Sequence, residues 1–441
     1  MPVVIGIIVC RFDNKRKENE STNSNTNNNK ENTIARQESA VYVIGDLHGD
    51  YKCAKYWVNK TRLVLGLLLS EEDNNDDVSS WVWRDNSSTL VFMGDYIDKG
   101  PTSKQTIEFV KKLTDRFPDH VTALLGNHEL QLLKDRYDYK QYGSAYFQYP
   151  YAVVHPLEYL NFLDVKKEGD DLDTATDDDL LVVEALYNAS LEVYGFNAYS
   201  KVQFSPSNSP KHHSIVQLIP DLELRNKAAQ RLAVYQDSYI NAFASNTSLG
   251  QWLQTRPVIH YTHNTLFLHG GLTPRLAQFL SSNSNNNVTQ NAQSINKLFQ
   301  SNSADGNNDD STTTLNNFLE NTYHGQLIEE FIWYRGNFQK GACDTLQSYI
   351  QNIPSSTTSS SFTRIAVGHT PDKTIRQLCN QTLLAVDSSL SRWFRVMGNN
   401  YCRGDKIQVS SNGQYECPKI QSFCEGQIIK IINDTIQIIS A

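Results

Sequence analysis

The chain has 441 residues, a formal net charge of -8 and 39% hydrophobic residues, enough to bury a sizeable core in one large domain or two smaller ones. The acidic balance and the lack of a basic stripe exclude a general nucleic-acid binder. Apolar content is low for a local reason: residues 18–32 and 281–317 are rich in Asn, Ser and Thr, and 355–361 is nearly all Ser and Thr. Such segments bury too little apolar area to offset the entropy of ordering, so disordered or looping insertions are expected there. Acidic runs at 71–77, 168–179 and Asp309-Asp310 read as solvated loops.

The chain opens with "MPVVIGIIVC", too short for a membrane span. It lacks the positive start and small-residue cleavage site of a secretory signal, so a first strand or buried arm is as good a reading. A cytoplasmic location is expected, with a secretory route left open. The seven cysteines include Cys402, Cys417 and Cys424, close together near the C-terminus. With no CxxC pair a zinc ribbon is disfavoured. A disulfide among those three would suit a secreted protein, and reduced thiols a cytosolic one.

From residue 40 onward one construction recurs. "AVYVIGDLHGD" over 40–50 is an apolar run closing on glycine, then Asp46, His48 and Asp50. "VFMGDYIDKG" over 91–100 repeats it with Asp95, Asp98 and Lys99. "VTALLGNHE" over 121–129 presents Asn127, His128 and Glu129, "TLFLHGG" over 265–271 presents His269, and "RIAVGHT" over 364–370 presents His369. Each run predicts a buried strand, and ligands of an open α/β sheet bind at the carboxyl ends of its strands. These loops are therefore expected to converge on one site. Between them, 103–117 predicts an amphipathic helix started by Pro101, and 158–197 and 225–253 read as mainly helical. The aromatic stretch 137–151 suits packing around a helix end or the wall of a substrate groove. "GQIIKIINDTIQIIS" at the C-terminus predicts a hairpin turning at Asn433-Asp434. The pattern suggests an α/β sandwich of two central sheets flanked by helices, with 1–39 an N-terminal arm and 40–441 a single domain carrying insertions at 281–317 and 355–361.

Asp46, His48, Asp95, Asn127, His269 and His369 supply carboxylates, an amide oxygen and imidazoles, which suit Mn, Fe or Zn. Six donors exceed one tetrahedral ion and fit two divalent metal ions sharing a carboxylate. A pair about 3.5–4 Å apart can bind a phosphoryl group and generate hydroxide at neutral pH. The reaction class is metal-assisted hydrolysis of a phosphate ester. His212, His213, His260 and His263 lack the strand-glycine setting, and His324 in "YHGQ" is a weaker candidate for the cleft.

In their order, "GDLHGD", "GDYIDKG", "GNHE", "HGG" and "GHT" resemble the calcineurin-like metallophosphoesterases, and within them the phosphoprotein phosphatase family. "LLGNHE" and "WYRG" at 333–336 resemble its bacterial-like branch, the Shewanella-like phosphatases. The resemblance covers roughly residues 40–392 and implies a sandwich of two mixed β-sheets flanked by helices. It further implies that Asp46 and His48 hold a first metal, Asp95 bridges, and Asn127, His269 and His369 hold a second. His128, oriented by Asp98, would protonate the leaving group after direct attack by a metal-bridging hydroxide. Lys99 and Arg335 would bind phosphate. Lys99 stands where the family has arginine, which keeps the charge and loses the bidentate fork. The implied substrate is a phosphoprotein, on Ser or Thr and possibly Tyr. The alternatives are a hydrolase of dinucleoside polyphosphates or other small phosphoesters, and an inactive phosphoprotein-binding scaffold. No nucleic-acid partner and no membrane span are expected.

Overall fold

Residues Ala40–Ile44 are apolar at every position and buried at every position, so both faces of this strand must be covered. The computed structural model describes residues 39–69, 77–142, 154–155, 158–163, 177–196, 215–282, 287–303, 315–353, 362–397, 408–409, 415–416, 420–433 and 435–441. The strands of the main sheets are β1 (Ala40–Ile44), β2 (Thr89–Phe92), β3 (Val121–Ala123), β4 (Ile259–Thr262), β5 (Thr265–Leu268), β6 (Arg364–Val367), β7 (Arg376–Leu378), β8 (Leu383–Ala385), β9 (Gln427–Ile432) and β10 (Thr435–Ser440). One sheet has the order β10-β9-β1-β2-β3, the other β4-β5-β6-β8-β7. Each has three parallel strands, β1-β2-β3 and β5-β6-β8, with antiparallel strands completing it.

Alternation along the strands decides what each face meets. Val41 and Val43 of β1, Val91 of β2 and Met93 just beyond it join Phe267, Ala366 and Leu384 of the other sheet in one buried cluster, so the two sheets pack face to face. Tyr42, Ile44, Leu90 and Phe92 point the other way, into a core with Trp57, Ile107, Phe109, Val110 and Leu113. Those partners lie on helices α1 (Tyr51–Thr61) and α2 (Ser103–Arg116). This is the expected α/β sandwich of two mixed sheets flanked by helices.

The C-terminal hairpin pairs β9 with β10 as expected. Helix α3 spans Asn127–Tyr142, and the rest of the aromatic stretch lies outside the described residues. The segment 158–197 holds α4 (Glu158–Phe162) and α5 (Asp177–Phe196), and the next helical segment holds α6 (Leu222–Ala242) and a helix over Ser248–Gln254. One segment expected to loop out does not: Val288–Ser303 is a helix that buries Val288, Ala292, Ile295 and Phe299. Their spacing puts them on one helical face, a signal hidden by the Asn and Ser between them. The N-terminal arm and the Ser/Thr tract before Phe362 lie outside the described residues. No helix among the described residues is long and apolar enough to cross a membrane.

Among the described residues, two disulfides join Cys53 to Cys424 and Cys343 to Cys379. Cys424 thus pairs with a residue 371 positions away in α1. Its sequence neighbours Cys402 and Cys417 are outside the described residues. A crosslink closing so long a loop restricts the unfolded chain. Replacing Cys53 and Cys424 together by Ser should lower the unfolding free energy by about 2–4 kcal/mol, measured by urea unfolding under non-reducing conditions; an unchanged midpoint would show that the bond contributes nothing.

Candidate metal centre

Five of the six parallel strands are followed by a glycine, and two of these glycines show why the close turns need one. A Cβ on Gly94, at φ +99°, would stand 2.6 Å from the backbone of Gly126. A Cβ on Gly126 would stand 2.2 Å from a carboxylate oxygen of Asp95. Side chains beyond the glycines are held in unusual backbone conformations: φ is 40° at His48, 55° at Asp95, 69° at Asp98, 70° at Lys99 and 60° at His369. Such conformations persist only when the surroundings over-determine them.

The surroundings do so through Glu129, which is fully buried. One carboxylate oxygen accepts from Asp95 N at 2.9 Å and Gly126 N at 3.0 Å, the other from Tyr96 N at 2.8 Å and Ile97 N at 3.3 Å. The Asp95 carbonyl in turn accepts from the backbone N–H of Leu47 and His48. The loops after β1, β2 and β3 are thereby tied into one frame.

Into that frame point the expected donors. Asp95 stands at the centre, in reach of two groups whose ligand atoms lie within 4.8 Å of one another: His48, Asp95 and His128 on one side, and Asp95, His269 and His369 on the other. Backbone carbonyls orient the imidazoles. His48 Nδ1 meets Ile97 O at 3.2 Å, which leaves Nε2 3.7 Å from Asp95 Oδ2. His269 Nδ1 meets Met93 O at 2.7 Å, which leaves Nε2 2.8 Å from Asn127 Oδ1 and 3.3 Å from Asp95 Oδ1. With Nδ1 carrying the proton, the lone pairs of His269, Asn127 and Asp95 converge with no hydrogen between them. His369 Nε2 is buried without a hydrogen-bond partner. Asp46 accepts from the His369 backbone N–H at 3.0 Å. Converging lone pairs and an orphaned buried nitrogen fit divalent cations.

Electrostatics divides the donors: burial lowers His269, but Asp95 outweighs it and raises the imidazole above its ordinary value. Burial, with Asp387 and Asp95 nearby, pushes the Asp46 carboxyl well above the usual range. Burial opposes the charge of Asp95 too, yet the imidazoles of His269, His128 and His48 hold its carboxyl well below that range. Burial lowers His48 to about 3 and, with His269 and Arg335 adding to it, His369 to about 2, which keeps both neutral as metal ligands must be. Buried carboxylates this close are stabilised in their charged form by positive charge among them.

Beside the donors, His128 Nδ1 meets Asp98 Oδ2 at 2.5 Å, and its Nε2 lies 3.8 Å from Asp95 Oδ2. Burial lowers the His128 pKa, but Asp95 and Asp98 outweigh it and raise it above the ordinary value. The half-buried Lys99 adds positive potential felt by His48 and His128. Arg335 is exposed and anchored by one Nη1, which donates to His369 O at 2.6 Å and Thr370 Oγ1 at 3.1 Å.

The other histidines have other surroundings. His324 packs edge-on against Phe279 and Tyr323, and His263 Nε2 meets Ser39 Oγ at 2.8 Å. His260 tilts against Phe267, and His212 and His213 lie outside the described residues. Sequence reasoning missed Asp387, which follows β8. Its strand, "LLAV", ends in an aspartate without the glycine that marked the other five. It also missed Phe394, stacked on the His48 ring at 4.4 Å, and Arg392, which clamps both carboxylate oxygens of Asp50 at 2.8 Å. Single aromatic and basic residues far along the chain carry no local signal for such contacts.

Residues 39–227 match the calcineurin-like phosphoesterase family. Fold and donor clusters agree with this match, which assigns residues 39–227 to the calcineurin-like phosphoesterases, metal-dependent hydrolases by class. Among curated relatives, an uncharacterized protein of Caenorhabditis elegans is 29% identical over 111 residues, 25% of this chain and 40% of that protein. The serine/threonine-protein phosphatase sitA of Aspergillus fumigatus is 33% identical over 102 residues, 20% of this chain and 26% of that protein. The chain thus spans less than half the length of these relatives. Among solved structures, the cold-active protein-tyrosine phosphatase of a psychrophilic Shewanella is 17% identical with a TM-score of 0.43, over 91% of this chain and 80% of that one.

A site that needs cations should be stabilised by them. Adding manganese to chelator-stripped protein at about 100 times its dissociation constant should raise stability by about 2.7 kcal/mol, read as a higher melting temperature. Asp95→Asn should remove most of that gain, and a gain of the same size in the variant would take Asp95 out of the site.

Proposed function

We propose that the chain hydrolyses phosphate monoesters on phosphoproteins, at two divalent ions (Mn, Fe or Zn) held by Asp46, His48, Asp95, Asn127, His269 and His369. The observation that carries this reading is the single carboxylate, Asp95, grouped with His48 and His128 on one side and with His269 and His369 on the other, with Asp98 at hydrogen-bond distance from His128. When bound, the ions supply polarisation of the phosphate oxygens and acidification of water. The chain's own residues do the rest.

His128 acts as general acid. Its Nδ1 is committed to Asp98, so its Nε2 is the nitrogen left to hand a proton to the leaving oxygen. Asp95 and Asp98 both favour the charged imidazole before transfer. Lys99 and Arg335 offset the charge of the phosphate oxygens, Lys99 as a point charge and Arg335 through the part of its fork not spent on the His369 loop. No phosphoryl group is carried by the protein. The phosphoprotein substrate is supported by the motif resemblance and by the serine/threonine phosphatase among the relatives; phosphotyrosine remains a third acceptor to compare on matched peptides. The two disulfides favour an oxidising compartment over the cytoplasm.

The test is hydrolysis of para-nitrophenyl phosphate by chelator-stripped protein with and without manganese. Metal-dependent turnover is expected, and a flat trace with manganese bound would overturn the reading in favour of a scaffold. Lys99→Arg should lower KM by restoring a fork to the phosphate; an equal or higher KM would remove Lys99 from phosphate binding.

A further inference from the structure

Helix α4 belongs to the long connection between β3 and β4 and contributes nothing to the donor set. It nevertheless sits on the loop that carries Asp95, Asp98 and Lys99. Helix α2 begins at the end of that loop, and its first N–H groups have no partner within the helix. Thr102, in the capping position, makes no side-chain cap. Glu158, buried to 1% exposure, supplies one instead: Oε2 accepts from Ser103 N at 2.7 Å and Oε1 from Lys104 N at 2.8 Å. Asn161, one turn along, donates from Nδ2 to Pro101 O at 2.8 Å and accepts Lys104 Nζ on its carbonyl at 2.8 Å.

The capped residue reaches the acid. Ser103 Oγ accepts from Asp98 N at 3.0 Å, and Asp98 Oδ2 meets His128 Nδ1. Asp98 and Lys99 are consecutive non-glycine residues at φ 69° and 70°, a turn that relaxes unless held from outside. Glu129 holds its start at Asp95 to Ile97, and the α4 contacts hold its end.

Resting on the phosphatase reading, we propose that Glu158 is a positioning residue for the general acid, fixing Ser103, and through it Asp98, so that Asp98 is set against His128. Helix α4, in the long connection between β3 and β4, then has a positioning role in the reaction. Tyr159 and Phe162 of α4 pack on Tyr239 of α6 at 5.7 and 5.0 Å between ring centroids, which seats the clamp. Burial raises the Glu158 carboxyl to about 8 against the pull of its N–H donors. Its amide isostere therefore changes little charge and removes one of two acceptors.

The experiment uses leaving-group basicity. Protonation of the leaving oxygen matters little for para-nitrophenolate and much for the more basic phenolate. In Glu158→Ala the ratio of kcat for phenyl phosphate to kcat for para-nitrophenyl phosphate should fall about tenfold, the low end of what general acid catalysis contributes. Bound manganese should stay unchanged, and Glu158→Gln should show a smaller fall in the same direction. In an Asp98→Asn background, Glu158→Gln should leave the ratio where Asp98→Asn alone puts it, since both act through one contact. Should Glu158→Ala not fold, Glu158→Gln and the double variant decide. An unchanged ratio in folded Glu158→Gln, whether both rates fall together or neither does, overturns the positioning role. Wild type lacking metal-dependent turnover of either ester overturns the phosphatase reading itself, and the positioning role with it.

Discussion

A single buried carboxylate organises the site without belonging to the donor set. Glu129 accepts four backbone N–H groups, from Asp95, Tyr96, Ile97 and Gly126, and so locks the turn after β2 to the turn after β3. Burial and the neighbouring Asp95 push its own carboxyl up to about 7. That cost is offset by satisfying N–H groups which would each be expensive to bury alone. Because Asp95 sits at φ 55°, its carboxylate would move if those bonds were lost, and both donor groups depend on it.

Around this frame the molecule gathers three buried carboxyl groups, with imidazoles set against Asp95. Asp46, Asp95 and Asp387 are all buried, and burial with mutual repulsion raises Asp46 and Asp387. Histidines reach the same space with their Nδ1 atoms tied to the carbonyls of Ile97 and Met93. The protein thus fixes lone pairs in advance and leaves the balancing charge to cations. Six parallel strands, three from each sheet, deliver these groups because carboxyl ends of parallel strands share one edge.

Segments distant in sequence complete the walls. The stretch after β8 brings Arg392 onto Asp50 and Phe394 onto His48, and Cys424 ties the start of β9 to α1, which follows Asp50. From the other side, α4 reaches the end of the loop after β2. Trp393 meets His155 edge-on at 4.9 Å, so the stretch after β8 touches the segment just before α4. Exposed Trp333 stands 5.8 Å from the His369 ring and gives the mouth an aromatic edge.

What the sequence determined by itself was whatever rests on local pattern. Runs closing on glycine and a polar residue located five of the six parallel strands and the polar residues at their ends, because burial on both faces demands apolar runs and sharp turns demand glycine. The helix over Ser103–Arg116 and the hairpin of β9 and β10 were legible for the same reason. Only the tertiary structure decided how the sheets face each other, that Val288–Ser303 is ordered, that Cys424 bonds Cys53, that Asp387, Arg392 and Phe394 lie against Asp46, Asp50 and His48, and that Glu158 caps the helix over Ser103–Arg116. These depend on contacts between residues far apart in the chain, and such contacts are selected by packing, which leaves no periodic trace in the residues that make them.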